Sequence, residues 1–213
     1  TAHRFLHTLV HAGALRATSR GVFRLGYMFA DLGERVLHDG NLPTLLQPIL
    51  DQLARDTGEA CMATEFDRDM AVCIAKSLPD RPLYVDIRIG SKLDAFCTAH
   101  GKLWLAHMGS DDQDRYFKNA QLHGMTDHTI TDIKTLQDEL QTIRQQGFAT
   151  NNGERENDIY AIAVPITTQH GKMISGFSVF GASPAILGQH RDSLLDHLRS
   201  ATQTARQALY GAA

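Results

Sequence analysis

The stretch Leu93-Asp94-Ala95-Phe96-Cys97-Thr98-Ala99-His100-Gly101-Lys102-Leu103-Trp104-Leu105-Ala106 reads as a loop that delivers the start of a helix against an apolar wall. Thr98 is a good N-cap, because its hydroxyl oxygen can accept one of the backbone N–H groups that a first helical turn leaves unpaired. The N–H groups of Ala99 and His100 have no carbonyl partner inside such a helix, and the helix dipole adds positive potential beside them. An end of this kind can hold a carboxylate or a phosphate. Most capped helix starts hold only water or their own cap, so this one takes its meaning from its surroundings.

Upstream, Leu42 to Thr57 carries Leu45, Leu46, Ile49, Leu50 and Leu53 at helical spacing and stops before Gly58. Beyond Gly58 the period shortens. Ala60–Phe66, Met70–Lys76 and Leu83–Ile89 are short apolar runs broken by Asp67-Arg68-Asp69 and Pro79-Asp80-Arg81-Pro82, which predicts an antiparallel meander. Downstream of the Thr98 helix, a small surface helix is expected within Asp111–His128 and a firmer one over Ile133–Gln146, ending before Gly147. Strands are expected at Ile159–Thr167 and Met173–Phe180, joined by His170-Gly171-Lys172, with a last helix from about Pro184 to Leu209. Strands, helices, strands and a helix in that order predict an α+β body with a mostly antiparallel sheet and flanking helices.

The chain of 213 residues is long enough for a core without staples. No run approaches the length of a membrane span and no charged-then-apolar leader is visible, so the expectation is a cytoplasmic protein with no membrane partner. Cys61, Cys73 and Cys97 are odd in number and widely spaced, which predicts buried thiols and no zinc ligation. The formal charge of −3 is unevenly divided. Arg4, Arg16, Arg20 and Arg24 face no acid within the first thirty residues, so that segment carries +4 and the rest −7. A basic N-terminus on an acidic body suits contact with phosphates.

At the N-terminus itself, helical spacing places Phe5, Leu6, Leu9 and Val10 on one side for a core and Thr1, Arg4, His7, Thr8 and His11 on the other for a partner. His3, His7 and His11 also follow a four-residue step, but no carboxylate or cysteine stands beside them, so no metal is expected. Leu25 to Leu37 continues at near-helical spacing to Asp39-Gly40-Asn41.

Three motifs lie in a telling order: Thr1-Ala2-His3-Arg4-Phe5-Leu6, a turn closing on Arg24-Leu25-Gly26, and Thr98-Ala99-His100-Gly101-Lys102 followed by Leu105-Ala106 about seventy residues on. Together the chain resembles the IclR family of bacterial transcriptional regulators over nearly its whole length. The resemblance implies a partial winged helix-turn-helix over 1–26, with the first helix as recognition helix and Thr18–Phe23 as wing. It further implies a linker helix over 27–41 and a GAF-like effector-binding domain over 42–213. Thr1, Arg4, His7, Thr8 and Arg20 would meet a palindromic operator DNA, bound by a homodimer or tetramer. A small organic acid would be the effector. Residues aligned with the family's effector site are Ala99 and His100 as donors, Leu93 and Val85 as apolar wall, Asn151 as a polar contact, Ala161 as a small wall residue and Ser178 as a hydroxyl. Phe180 stands where regulators of small oxoacids carry a second serine, which favours a larger or aromatic acid over glyoxylate or pyruvate. Asp94 replaces a frequent proline.

No cofactor is implied, and enzymatic motifs are missing. Gly101-Lys102 lacks the earlier glycine and following hydroxyl of a P-loop, those positions holding Phe96 and Leu103. There is no GxSxG, HExxH or GxGxxG after a strand. Asp192 and Asp196, beside His190 and His197, have the spacing of a solvated helix face. Two other readings compete with the regulator: a stand-alone GAF-like sensor or scaffold acting by protein contact, and an enzyme using Cys97 or His100.

Overall fold

The computed structural model describes residues 2–19, 21–29, 42–80, 82 and 84–211, and the chain divides into two compact units, 1–44 and 45–213. Thr1, Arg20 and nearly all of the expected linker helix lie outside the described residues.

In the first unit, helix α1 (Ala2–His11) leads into a hairpin of β1 (Leu15–Ser19) and β2 (Val22–Leu25). Gly21, at φ +81°, makes the left-handed bend that the tight connection requires. The Gly26 N–H donates to the Ala14 carbonyl at 2.8 Å, closing the base of the hairpin against the end of α1. The sequence pattern assigned Phe5 to a core, and the structure corrects this. Phe5 is 67 % exposed, while Leu6, Leu9 and Val10 are half-buried. The described residues of this unit, one short helix and one hairpin, leave its ring uncovered.

The second unit is built on a six-stranded antiparallel sheet in the order β5-β4-β3-β8-β7-β6. Its strands are β3 (Ala60–Asp67), β4 (Met70–Ser77), β5 (Lys92–Asp94), β6 (Ala149–Asn152), β7 (Tyr160–Thr167) and β8 (Met173–Gly181). Residues paired across antiparallel strands share a face. The pairs Ala60↔Phe180, Met62↔Ser178, Ala163↔Ser178 and Asn151↔Ala161 therefore put these residues on one side. Helices α3 (Ala99–His107) and α5 (Ile133–Gln146) cover that side, with α4 (Ser110–Asn119) following α3. Residues Cys61, Ala63, Ile162, Phe177 and Val179 point the other way, where α6 (Arg191–Tyr210) packs on β7 and β8. Helix α2 (Leu42–Thr57) buries Leu46, Leu50, Leu53 and Ala54, a stripe at helical spacing.

Local chemistry explains the boundaries. Asp132 caps α5 by accepting the Thr135 N–H at 2.7 Å, Gly147 ends it at φ +78°, and Leu136, Leu140 and Ile143 form its buried stripe. Helix α3 differs because nearly every residue is buried, so it is the central helix of the unit.

In the second unit three segments differ from the sequence reading. Residues 84–88 of the predicted strand Leu83–Ile89 form no ladder, Leu83 lying outside the described residues. The Gly90 N–H and Ser91 carbonyl engage the backbone of Cys73 instead, and the chain joins β4 only at β5. Strand β6 was missed because Ala-Thr-Asn-Asn has no apolar alternation; it is a polar edge strand paired with β7 alone. The last helix is interrupted: a 3-10 turn at Pro184–Ile186 precedes α6, since the Gly188 N–H closes back onto Pro184 and Ala185.

Candidate functional site

Helix α3 begins where the sequence places it. Thr98, extended at φ −126° and ψ 150°, accepts the Gly101 N–H at 3.1 Å and donates its hydroxyl hydrogen to the Asp94 carbonyl at 2.7 Å. The cap is thus stitched to the end of β5, which fixes the helix start over the sheet. Against that start lies a cavity of about 40 Å³ lined by Leu93, Thr98, Ala99, His100, Asn151, Ala161 and Phe180, with Met62, Ile87, Arg155, Glu156 and Ile159 completing its wall. Six of the eight residues assigned from sequence meet here. Val85 and Ser178 are not in the lining: Val85 packs half-buried on the same core, and Ser178 is fully buried in register with Met62.

His100 is 1 % exposed, so a surface position is ruled out. Its Nδ1 lies 2.9 Å from the Thr64 hydroxyl, and its Nε2 is buried with no hydrogen-bond partner. Burial pushes the imidazole pKa down to about 3, against the opposing pull of the Met62 carbonyl. The ring is therefore neutral at physiological pH, and any hydrogen bond it makes to a guest is not charge-assisted by an imidazolium. Asn151 is 4 % exposed, and its Oδ1 accepts the Glu154 N–H at 2.8 Å, leaving the side-chain amide nitrogen as its other polar group.

Sequence reasoning missed Arg155. Gly153-Glu154-Arg155-Glu156 looks like a solvated turn, and only the fold turns Arg155 to the cavity mouth. There its Nε lies 3.1 Å from Asp94 and its Nη1 2.6 Å from Glu156. Also unforeseen is the ion pair behind the site, Lys102 Nζ at 2.5 Å from Glu154 and 3.3 Å from Glu139. Met62, Ile87 and Ile159 reach the lining through pairing and loop paths that no local pattern encodes.

The alternative nucleophile has the wrong chemistry. Cys97 is buried, and burial, reinforced by Asp94, pushes its thiol up to about 12, so it stays protonated at neutral pH. Asp192 and Asp196 are exposed.

The profile of the family described as bacterial transcriptional regulator IclR C-terminal matches residues 34–207. The chain belongs to the IclR family. This IclR-family chain is 32 % identical over 178 residues to the Pca regulon regulatory protein of Pseudomonas putida, a match covering 83 % of the chain and 60 % of that protein. The crystal structure of Thermotoga maritima IclR matches 99 % of the chain and 85 % of its own at 26 % identity, with a TM-score of 0.76. A double mutant of the PobR inducer-binding domain from Acinetobacter, in complex with 3-hydroxybenzoic acid, matches 78 % of the chain and 98 % of its own at 27 % identity, with a TM-score of 0.72. The second unit is accordingly an IclR-type, GAF-like domain. The protein is a transcriptional regulator, a family without enzymatic activity.

On the first unit, Arg4, His7 and Thr8 are exposed along α1. Thr8 donates its hydroxyl hydrogen to the Arg4 carbonyl at 3.0 Å, and the His3 and His7 rings lie 4.5 Å apart. Among the described residues no group of three or more His, Cys, Asp or Glu side chains is placed to hold a metal ion, and no helix is long and apolar enough to cross a membrane.

Proposed function

We propose that the cavity at the start of α3 is the effector site of this regulator, that its guest is a small organic acid, and that α1 and the hairpin contact operator DNA. The observation that carries the effector reading is the convergence of the α3 N-terminus with the unpartnered, buried His100 Nε2 on one cavity. Buried polar atoms are nearly always partnered, so an orphan beside unpaired helix N–H groups suits an anionic guest. The PobR domain's complex with 3-hydroxybenzoic acid supports an aromatic acid, as does the Phe180 ring in the wall.

The cavity is tight for such a guest. About 40 Å³ holds a few waters, whereas an apolar cavity that binds benzene measures about 150 Å³. Accommodating a ring requires outward movement of the wall, one of whose residues, Arg155, is tied to Asp94 at 3.1 Å. Binding that separates two arrangements of a homodimer or tetramer by about 1–3 kcal/mol would change affinity for a palindromic operator about 5–150-fold.

Thermal unfolding of the chain with aliphatic, sugar-derived and aromatic acids tests the effector reading. Ala99→Pro sharpens it. Ala99 is the first helical residue, where proline is tolerated, and Thr98 already has the extended backbone that a following proline demands. The variant should keep its melting temperature without ligand yet weaken acid binding about tenfold or more, the cost of one charged hydrogen bond. Unchanged affinity for an acid that stabilises the wild type would place the site elsewhere. For DNA, Arg4→Ala in the complete regulator should weaken operator binding and flatten its dependence on salt by roughly one phosphate contact. Acid affinity should not change, and equal loss of both would refute the division of labour.

A further inference from the structure

Thr64 sits on β3, fully buried and within hydrogen-bond reach of two side chains of α3. Its hydroxyl has two partners among the described residues: the Trp104 Nε1, at 3.1 Å, and the His100 Nδ1, at 2.9 Å. The indole N–H can only donate, so it occupies one acceptor position of the Thr64 oxygen and the hydroxyl hydrogen cannot turn that way. Two arrangements remain. If Nδ1 carries the imidazole proton, the Thr64 hydroxyl accepts twice, its own hydrogen is orphaned inside the core and Nε2 is an unpaired acceptor. If Nε2 carries the proton, the Thr64 hydrogen goes to Nδ1 and the one unmatched group is the Nε2–H, since the Met62 carbonyl beside the ring is in hydrogen-bond geometry with neither nitrogen. The second arrangement leaves fewer buried polar groups unsatisfied.

We propose that Trp104 and Thr64 form a hydrogen-bond relay that holds His100 in its Nε2–H tautomer, so that the ring offers a fixed donor to the cavity's guest. The relay assigns residues outside the lining to effector selection. Resting on the effector reading above, it also narrows the head group. With the α3 N–H groups and Nε2–H all donating, a carboxylate matches at both oxygens, whereas a primary amide puts an NH₂ against one of the donors.

The full chain, labelled with ¹⁵N in its histidine rings, gives the direct test. Long-range proton–nitrogen correlation spectra distinguish the tautomers, with His100 identified by the signal lost in His100→Gln. The wild type and Thr64→Ser should show His100 as Nε2–H alone, and Thr64→Val a mixture of tautomers. A wild-type ring protonated at Nδ1, or a Thr64→Val spectrum that still shows Nε2–H alone, overturns the relay. Calorimetry with 3-hydroxybenzoate and 3-hydroxybenzamide reads its consequence. The wild type should prefer the acid, and Thr64→Val should lose about tenfold of that preference, more than it loses in acid affinity. An unaltered preference in a folded Thr64→Val overturns the assigned role. Failure of the wild type to bind either probe counts against an aromatic-acid effector, while the spectra still decide the tautomer.

Discussion

Lys102→Met should destabilise the second unit by about 3–5 kcal/mol in denaturant unfolding at neutral pH, the cost of leaving one member of a buried ion pair alone. Methionine nearly matches the length of lysine, so the change removes charge more than volume. What remains is Glu154, whose side chain is 6 % exposed and loses the ammonium 2.5 Å from its Oε1, while its Oε2 already has no partner. The carboxylate cannot swing out to water. Its residue is held at the N–H by Asn151 and at the carbonyl by the Thr126 and Thr129 hydroxyls. Glu139, the other neighbour of Lys102, is 30 % exposed and can be hydrated, so its share of the penalty is small. The double variant Lys102→Met/Glu154→Gln should therefore recover much of the loss, since removing both charges of a buried pair costs far less than removing one. A loss below about 1 kcal/mol in Lys102→Met would mean that Glu154 reaches solvent and that the pair does not lock the turn beside the cavity.

That ion pair marks the limit of what the sequence discloses. Gly101-Lys102 reads, locally, only as a P-loop that fails; nothing nearby says that the lysine enters the core, because its partner lies 52 residues on. Elements specified by nearby residues were legible. Helix α5 runs from Ile133 to Gln146 as expected because Asp132 and Gly147 mark its ends, and α2 stops at Thr57 before the left-handed Gly58. Strands whose existence depends on a neighbour were not. Residues 84–88 have the composition of a strand but no ladder, while β6 has a polar composition and a ladder supplied by β7.

The candidate site divides in the same way. Thr98 carries its own evidence as a cap, and the hydrogen bond it accepts from Gly101 is a local consequence of that residue type. The neutral state of His100 was not legible, since it follows from burial against Thr64, and a histidine at the start of a helix is as compatible with solvent. Arg155 was hidden for the opposite reason. Flanked by Glu154 and Glu156, it has the alternating charge of an exposed turn, and only the pairing of β6 with β7 brings it to Asp94.

Gly101→Ala should destabilise the second unit by about 3 kcal/mol, although alanine is the better helix former by about 1 kcal/mol. A Cβ at this position would stand 2.3 Å from the Ala95 Cα, 2.5 Å from the Ala95 carbonyl oxygen and 2.6 Å from the Asp94 carbonyl oxygen. All three are backbone atoms, so no side chain can rotate to make room. Either α3 lifts from the end of β5 or the Asp94–Ala95 segment retreats. Both movements stretch the bond from the Thr98 hydroxyl to the Asp94 carbonyl and widen the floor of the cavity. Overpacking a well-filled core costs about 1–3 kcal/mol and occasionally more, and a clash with fixed backbone belongs at the upper end. The variant should unfold at markedly lower denaturant and lose the stabilisation given by any acid that protects the wild type. A Gly101→Ala chain that unfolds within about 0.5 kcal/mol of wild type, the range of a neutral surface change, would refute the close approach of loop and helix on which the geometry of the α3 N-terminus depends.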